Sequence, residues 1–194
     1  MSPARIRTLS LLLPALVAGL ALLSWTQPWV ELTLTEGARI SAAGDVAAVA
    51  VPALALAGLA LIAALVLAGP IFRVILGLLQ AALGAGILVS AVLALTDPVA
   101  AGQSAVTALT GVDGEASVRA LVASVSTTMW VIACLVAGVL GVVGGLVIAV
   151  LARRWPERTR RYETARWETE SGQGTPDRFG EWDALSDGSD PTAR

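Results

Sequence analysis

Residues 127–152 read TTMWVIACLVAGVLGVVGGLVIAVLA and contain no charged side chain. A helix of about 20 apolar residues crosses a hydrocarbon core that is about 30 Å thick. A helix also satisfies its own backbone hydrogen bonds, as lipid requires. This stretch therefore predicts a transmembrane helix and an integral membrane protein.

Three further apolar segments of similar length precede it, at 9–25, 46–68 and 71–95. Together the four segments predict an all-α integral membrane fold, a four-helix transmembrane bundle that makes residues 1–152 one domain. Arginines ahead of the segment at 9–25 are also typical of a secretory signal peptide. The residues around the end of this segment, SWTQPW at 24–29, contain no small-residue cleavage site, which favours a retained helix.

The composition restricts the chemistry that the chain can perform. Of its 194 residues, 56% are hydrophobic and only 14% are charged. There is no His, all 13 basic residues are Arg, and Cys134 is the single Cys. These counts exclude a His general base, a lysine Schiff base and a Cys/His metal site. We expect no metal, no cofactor and no enzyme; loop carboxylates leave a membrane enzyme acting on lipid as a remote alternative.

The positions of the arginines predict the orientation. Nine arginines near the membrane would lie on the side of the termini, whereas Arg39 and Arg119 would lie on the other side. By the positive-inside rule, both termini of this multi-pass protein then lie in the cytoplasm and the membrane is the plasma (inner) membrane. Residues 26–45 and 96–126 would form two outward loops.

Four tryptophans fall at the predicted helix ends: Trp25, Trp29, Trp130 and Trp155. Tryptophan is enriched at membrane–water interfaces, so we predict that these residues are interface anchors. The alternative is a tryptophan cluster that binds an aromatic or cationic ligand.

The first outward loop has an apolar/polar alternation from Val30 to Thr35, which predicts a strand. Glu36 and Gly37 supply a turn, so we expect a small extracytoplasmic hairpin in which a three-residue turn places Leu34 opposite Ile40. The second loop is rich in turn residues up to Gly114. Apolar residues then recur at helical spacing through Val125, which predicts that the fourth helix begins outside the membrane.

Small residues recur at helical spacing in all four segments and predict close helix packing. The first segment carries Ala15 and Gly19, and the second carries Ala60, Ala64 and Ala68. The stripe in the third segment is Gly77, Ala81 and Ala85, and the stripe in the fourth is Ala133, Ala137, Gly141 and Gly145. The fourth-segment stripe could also mediate a homo-oligomer.

Gln80 is the one strongly polar side chain deep in the four segments. We expect it to form interhelical hydrogen bonds, with a substrate contact as the alternative. Because no charged residue lies deep, an ion-coupled transporter is disfavoured.

The chain after residue 152 divides by charge. Residues 153–170 predict a basic juxtamembrane helix on the anionic inner leaflet of the bilayer, and residues 171–194 predict a disordered acidic tail. The residues that would contact the membrane surface are Arg153, Arg154, Arg158, Arg160 and Arg161. Attraction between these arginines and the anionic leaflet is enough to explain the basic charge, so we expect no nucleic acid partner.

Within the tail, three apolar residues are spaced by three: Phe179, Trp182 and Leu185. They could anchor a short helix in the groove of a cytosolic protein. The alternative is a solvated acidic tail in which these residues have no partner.

The layout resembles the tryptophan-associated (tryptophan-operon) transmembrane proteins of actinobacteria. The resemblance is carried by the helix that ends at Trp25, the Gln27-Pro28-Trp29 segment, the arginine-rich stretch and the tail from Trp182 to Ser186. It implies an association with tryptophan biosynthesis and transfers no functional residue. We therefore predict a non-catalytic accessory or interaction protein. The alternative is a small facilitator or sensor for an aromatic metabolite such as tryptophan or indole.

Overall fold

The computed structural model describes the backbone of residues 3–152 and the side chains of residues 12–152. Within these ranges the chain is mostly helical and carries one small sheet. In chain order the elements are α1 (Pro3–Trp25), β1 (Pro28–Leu34), β2 (Arg39–Ala43), α2 (Gly44–Ala47), α3 (Val51–Leu67), α4 (Pro70–Thr96), α5 (Pro98–Ala101), α6 (Gln103–Thr110), α7 (Glu115–Leu121), β3 (Val122–Thr127) and α8 (Met129–Leu151).

Four of these helices, α1, α3, α4 and α8, correspond to the four predicted segments and pack against one another. Two of them, α4 and α8, are long and apolar enough to cross a membrane. The apolar parts of the other two are shorter, at Leu12–Trp25 and Val51–Leu67. The structure thus has two candidate membrane helices among the residues that it describes.

The second predicted helix, 46–68, is interrupted in the structure. A four-residue helix, α2, is followed by a turn, and α3 begins only at Val51. Pro52 explains the boundary, because it lacks an N–H and fits the first turn of a helix, where that N–H would be unpaired.

The predicted hairpin forms, but its register was predicted wrongly. Leu32 lies opposite Ile40, and the N–H of Leu34 donates to the carbonyl of Ala38 at 2.8 Å. The turn has three residues as expected, but they are 35–37 because Gly37, at φ +86°, takes the left-handed position that closes this turn. The apolar residues still share one face of the hairpin.

The sheet has a third strand that the sequence did not predict. The predicted helix from Glu115 ends at Leu121, and β3 follows it and pairs antiparallel with the free edge of β1. The strand order is therefore β2-β1-β3. Val122 and Val125 fit a strand as well as a helix, and pairing with β1 decides between the two. The region predicted as irregular also contains two short helices, α5 and α6.

Backbone contact through glycine joins α4 to α8. A Cβ built on Gly84 would lie 2.5 Å from the backbone of Gly141 and Val142, and one on Gly138 would lie 2.6 Å from the backbone of Leu88. Only glycine permits such proximity. The stripes predicted for α4 and α8 are thus partly right: Gly77, Ala81, Gly141 and Gly145 lie in this interface, Gly84 replaces the exposed Ala85, and Ala133 is only half-buried. In the second segment the predicted stripe was wrong, because Ala60 and Ala64 are exposed.

The apolar interior of the described residues forms two separate clusters. The larger cluster joins the sheet to the adjoining ends of the helices and contains Trp29, Leu32, Val51, Ile87 and Val131. The smaller one lies between α3, α4 and α8 and contains Leu61, Leu65 and Ile148. The sheet is therefore built onto one end of the bundle and shares its core.

Candidate functional site

The end of α1 is the point at which the sheet and the helices are joined. The hydroxyl of Ser24 donates to the carbonyl of Trp130 at 2.6 Å, and the indole N–H of Trp29 donates to the carbonyl of Ser24 at 2.8 Å. The hydroxyl of Thr128 donates to the carbonyl of Pro28 at 2.5 Å. These bonds link α1, β1 and the start of α8. They fix to the bundle the layer that the sheet forms with α5, α6 and α7, which is termed the outer layer.

The predicted interface tryptophans have different environments. Trp29 has no exposed surface and packs in the larger apolar cluster, so its prediction as an interface anchor was wrong. Trp29 is buried because β1 places its side chain next to Gly44, which has no side chain of its own. Any side chain at Gly44 would collide with Trp25 and Trp29. Trp25 and Trp130 are half-buried. Their prediction as anchors stays a prediction.

The sheet presents one polar face. Glu31 lies between Ser41 and Ser126, and Thr33 lies between Arg39 and Ser124. Residues directly opposite one another in a sheet share a face, and all of these except the half-buried Thr33 are exposed. The opposite face carries Val30, Leu32 and Leu34, which are buried.

An ion-pair cluster lies on the outer layer. The guanidinium of Arg119 on α7 donates to the carboxylates of Asp97, at the end of α4, and Glu115. The carboxylate of Asp97 also accepts the N–H of Ala100 at 3.0 Å and caps α5. The Ala100 N–H and the Arg119 guanidinium hold the pKa of Asp97 below its ordinary value. Hydrogen bonds to Asp97 and Glu115 raise the pKa of Arg119.

Gln80 is buried inside the bundle, with 2% of its surface exposed. Its Oε1 atom is buried and has no hydrogen-bond partner among the described residues. The predicted interhelical hydrogen bond is therefore not formed by this atom. Cys134, the single cysteine, is also fully buried on α8.

Many predicted site residues lie outside the described residues. These are the membrane-surface arginines Arg153, Arg154, Arg158, Arg160 and Arg161, the anchor Trp155, and the docking residues Phe179, Trp182 and Leu185. The same holds for the predicted juxtamembrane helix 153–170 and tail 171–194. Among the residues that the structure does describe, no group of three or more His, Cys, Asp or Glu side chains could hold a metal ion.

Sequence reasoning missed three residues that fasten the outer layer: Ser24, Thr128 and Asp97. Two of them had a local signal. Thr128 precedes an apolar run and Asp97 precedes a proline, and both patterns are typical of a helix N-cap. Ser24 had no such signal, because its partner Trp130 is 106 residues away.

One family model, described as tryptophan-associated transmembrane protein, matches residues 11–192. No curated protein and no solved structure matches the chain.

Proposed function

The chain belongs to the tryptophan-associated transmembrane protein family, and from this premise we propose that it is a multi-pass, non-catalytic accessory protein of the plasma membrane. In this proposal α1, α3, α4 and α8 all cross the bilayer as a four-helix bundle. The bundle is a fixed anchor that holds the C-terminal segment at the inner leaflet, where a cytosolic protein binds it.

The observation that carries this proposal is how α8 is held. Glycines along α8 contact α4 at backbone distance, and Gly144 contacts Leu13 of α1. At its outer end, the carbonyl of Trp130 accepts the hydroxyl of Ser24. Helix α8, which precedes residues 153–170, is thus held along the face that packs on α4 and α1 and also at its first turn. A rigid support for the following segment is what an anchoring function needs.

The sheet supports an even number of crossings. Strand β1 comes from the first loop and β3 from the second, and the two pair directly, so both loops lie at the same end of the bundle. With the arginines after α8 on the cytoplasmic side, this end faces outward. A green fluorescent protein fused after Arg194 should fluoresce, and alkaline phosphatase inserted at Gly37 should be active. An active phosphatase at residue 194 would overturn this topology.

The partner is tested in cells with a photo-crosslinking amino acid in the tail of the full chain. We expect a cytosolic protein to be crosslinked from position 185, and Trp182→Ala to remove that product. Trp167→Ala is the matched control, since it removes a tail tryptophan outside the docking residues. If no crosslinked product depends on Trp182, the accessory function through this segment is wrong.

The alternative, a facilitator or sensor for tryptophan or indole, has less support from the geometry. An outward tryptophan cluster would have to offer its indole rings to the ligand. Trp29 is fully buried and its N–H is bonded to Ser24, so this residue offers neither its ring nor its donor.

A further inference from the structure

We propose that Gln80 and Gly58 form a binding site inside the bundle for one small neutral hydrogen-bond donor, an O–H or N–H group, of which water is the smallest. The site lies in the interface of α3 and α4, near the middle of α3. It goes beyond the anchoring function, which does not require it.

The first observation is the state of the Gln80 amide. The side chain is 98% buried and its Oε1 has no hydrogen-bond partner among the described residues. A buried acceptor without a partner is costly, so native proteins supply one from the protein or from a bound molecule. The atom is thus a recognition group for a donor.

The second observation is the space opposite this atom. Gly58 is buried, and a Cβ built on it would meet only Gln80 Oε1, at 3.7 Å, outside its own helix. The interface of α4 with α8 is different, because there a Cβ on Gly84 would overlap backbone. Gly58 therefore leaves room beside Gln80, whereas Gly84 serves contact between helices.

The third observation is the position of the site relative to the two apolar clusters. Along α3, Gly58 lies between Ala55 of the larger cluster and Leu61 of the smaller one. Along α4, Gln80 lies between Leu76 and Leu83, which pack against the smaller cluster, but it belongs to neither cluster.

The occupant must be neutral. Neither α3 nor α8 contains a charged residue, and Arg73, the charged residue of α4, lies two helical turns from Gln80, about 10 Å along the axis. No charged group therefore contacts an ion at this depth. A neutral donor that bonds Oε1 gives this buried acceptor a partner without adding a charge.

The proposal is tested with the full chain in lipid nanodiscs, using Gln80→Met, Gly58→Ala and the double variant. Gln80→Met keeps the length of the side chain and removes the amide, and Gly58→Ala fills the space. If a donor is bound, each single change lowers Tm by about 2–4 °C, and the double variant is no less stable than either one. Gly19→Ala, at an exposed position with open space, is the control and should not lower Tm.

A second measurement identifies the source of the donor and stands even if Gly58→Ala fails to fold. Magnetisation transfer from bulk water to the labelled Gln80 side-chain amide, in buffer without other solutes, assigns the site to water. Transfer that occurs only from added acetamide assigns it to a neutral solute. A higher Tm for Gln80→Met, or no transfer from either probe, would overturn the proposal. Both measurements are independent of the C-terminal tail, so failure of the anchoring function leaves them unchanged.

Discussion

The hydroxyl of Ser24 and the carbonyl of Trp130 are 2.6 Å apart, and this hydrogen bond joins the last turn of α1 to the first turn of α8. Ser24 is fully buried and accepts the Trp29 indole N–H on its own carbonyl. One residue therefore connects the first helix, the central strand and the last helix.

Replacing Ser24 by Ala should destabilise the protein by about 1 kcal/mol, because a buried hydroxyl and its bond to Trp130 are lost. The measurement is thermal unfolding followed with a thiol-reactive dye, for which the buried Cys134 is the single target. Ser90→Ala is the control. The Ser90 hydroxyl bonds only to Gly86 in its own helix, so this change should have little effect. Equal losses for the two variants would contradict the special role of Ser24.

Replacing Trp29 by Phe should cost about 1–3 kcal/mol, because the smaller phenyl ring leaves part of the buried indole space empty and the bond to the Ser24 carbonyl is lost. Replacing it by Ala should cost about 3–5 kcal/mol, since a large buried side chain is removed. The same thiol assay is used, because tryptophan emission changes with the substitution. If Trp29 were a lipid-exposed anchor, both variants would unfold at nearly the wild-type temperature.

Trp25→Phe provides the matched comparison for Trp29→Phe. The Nε1 atom of Trp25 is buried without a hydrogen-bond partner among the described residues. Trp25→Phe therefore shortens an indole as Trp29→Phe does but breaks no hydrogen bond, so it should lower the free energy of unfolding by less. A loss equal to that of Trp29→Phe would show that the indole N–H groups are not what distinguishes the two positions.

Much of the fold follows from local sequence. Apolar runs located the four long helices, and the alternation from Val30 to Thr35 located β1. Strand β3 could not be located in this way, because Val122 and Val125 satisfy the period of a helix and of a strand. Its partner, β1, is some ninety residues earlier in the chain. Non-local pairing decides its conformation, and no window of sequence contains that information.

The candidate site was less predictable than the fold. A tryptophan at a helix end is typical of an interfacial anchor, and nothing around Trp29 indicated that β1 would turn it into the core. Likewise, the sequence marked Gln80 as buried and polar but could not show that its Oε1 atom finds no partner. Both outcomes depend on which elements pack against β1 and α4 in the folded chain.

Replacing Gly84 by Ala should separate α4 from α8. Alanine is the better helix former by about 1 kcal/mol, but its Cβ would lie 2.5 Å from the Gly141 and Val142 backbone, which cannot move aside. Overpacking costs about 1–3 kcal/mol or more, so the clash outweighs the gain. Thermal unfolding should show a clear loss, whereas Gly19→Ala, with no neighbour within 4 Å, should show none. A stable Gly84→Ala protein would mean that the two helices are not in backbone contact.

The Asp97–Arg119 pair predicts how the outer layer responds to acid. The pKa of Asp97 is lowered in the folded protein, first by the Ala100 N–H and also by Arg119. A carboxylate with a lowered pKa stabilises the fold above about pH 4, and this stabilisation is lost as the pH falls through its folded pKa. Asp97→Asn keeps an acceptor for the Ala100 N–H and removes the charge. We therefore expect it to unfold at a lower temperature than wild type at pH 7, and this difference should shrink as the pH falls to 3.

The measurement for this prediction is thermal unfolding followed by tryptophan fluorescence between pH 7 and pH 3, since none of these variants changes a tryptophan. Glu36→Gln is the control, because Glu36 is exposed in the hairpin turn and Asp97 and Glu115 are the carboxylates that pair with Arg119. Its midpoint should follow that of the wild type at every pH. Arg119→Gln should behave like Asp97→Asn, because it removes the other half of the pair. A difference between wild type and Asp97→Asn that persists unchanged at pH 3 would show that the charge of Asp97 does not stabilise the outer layer.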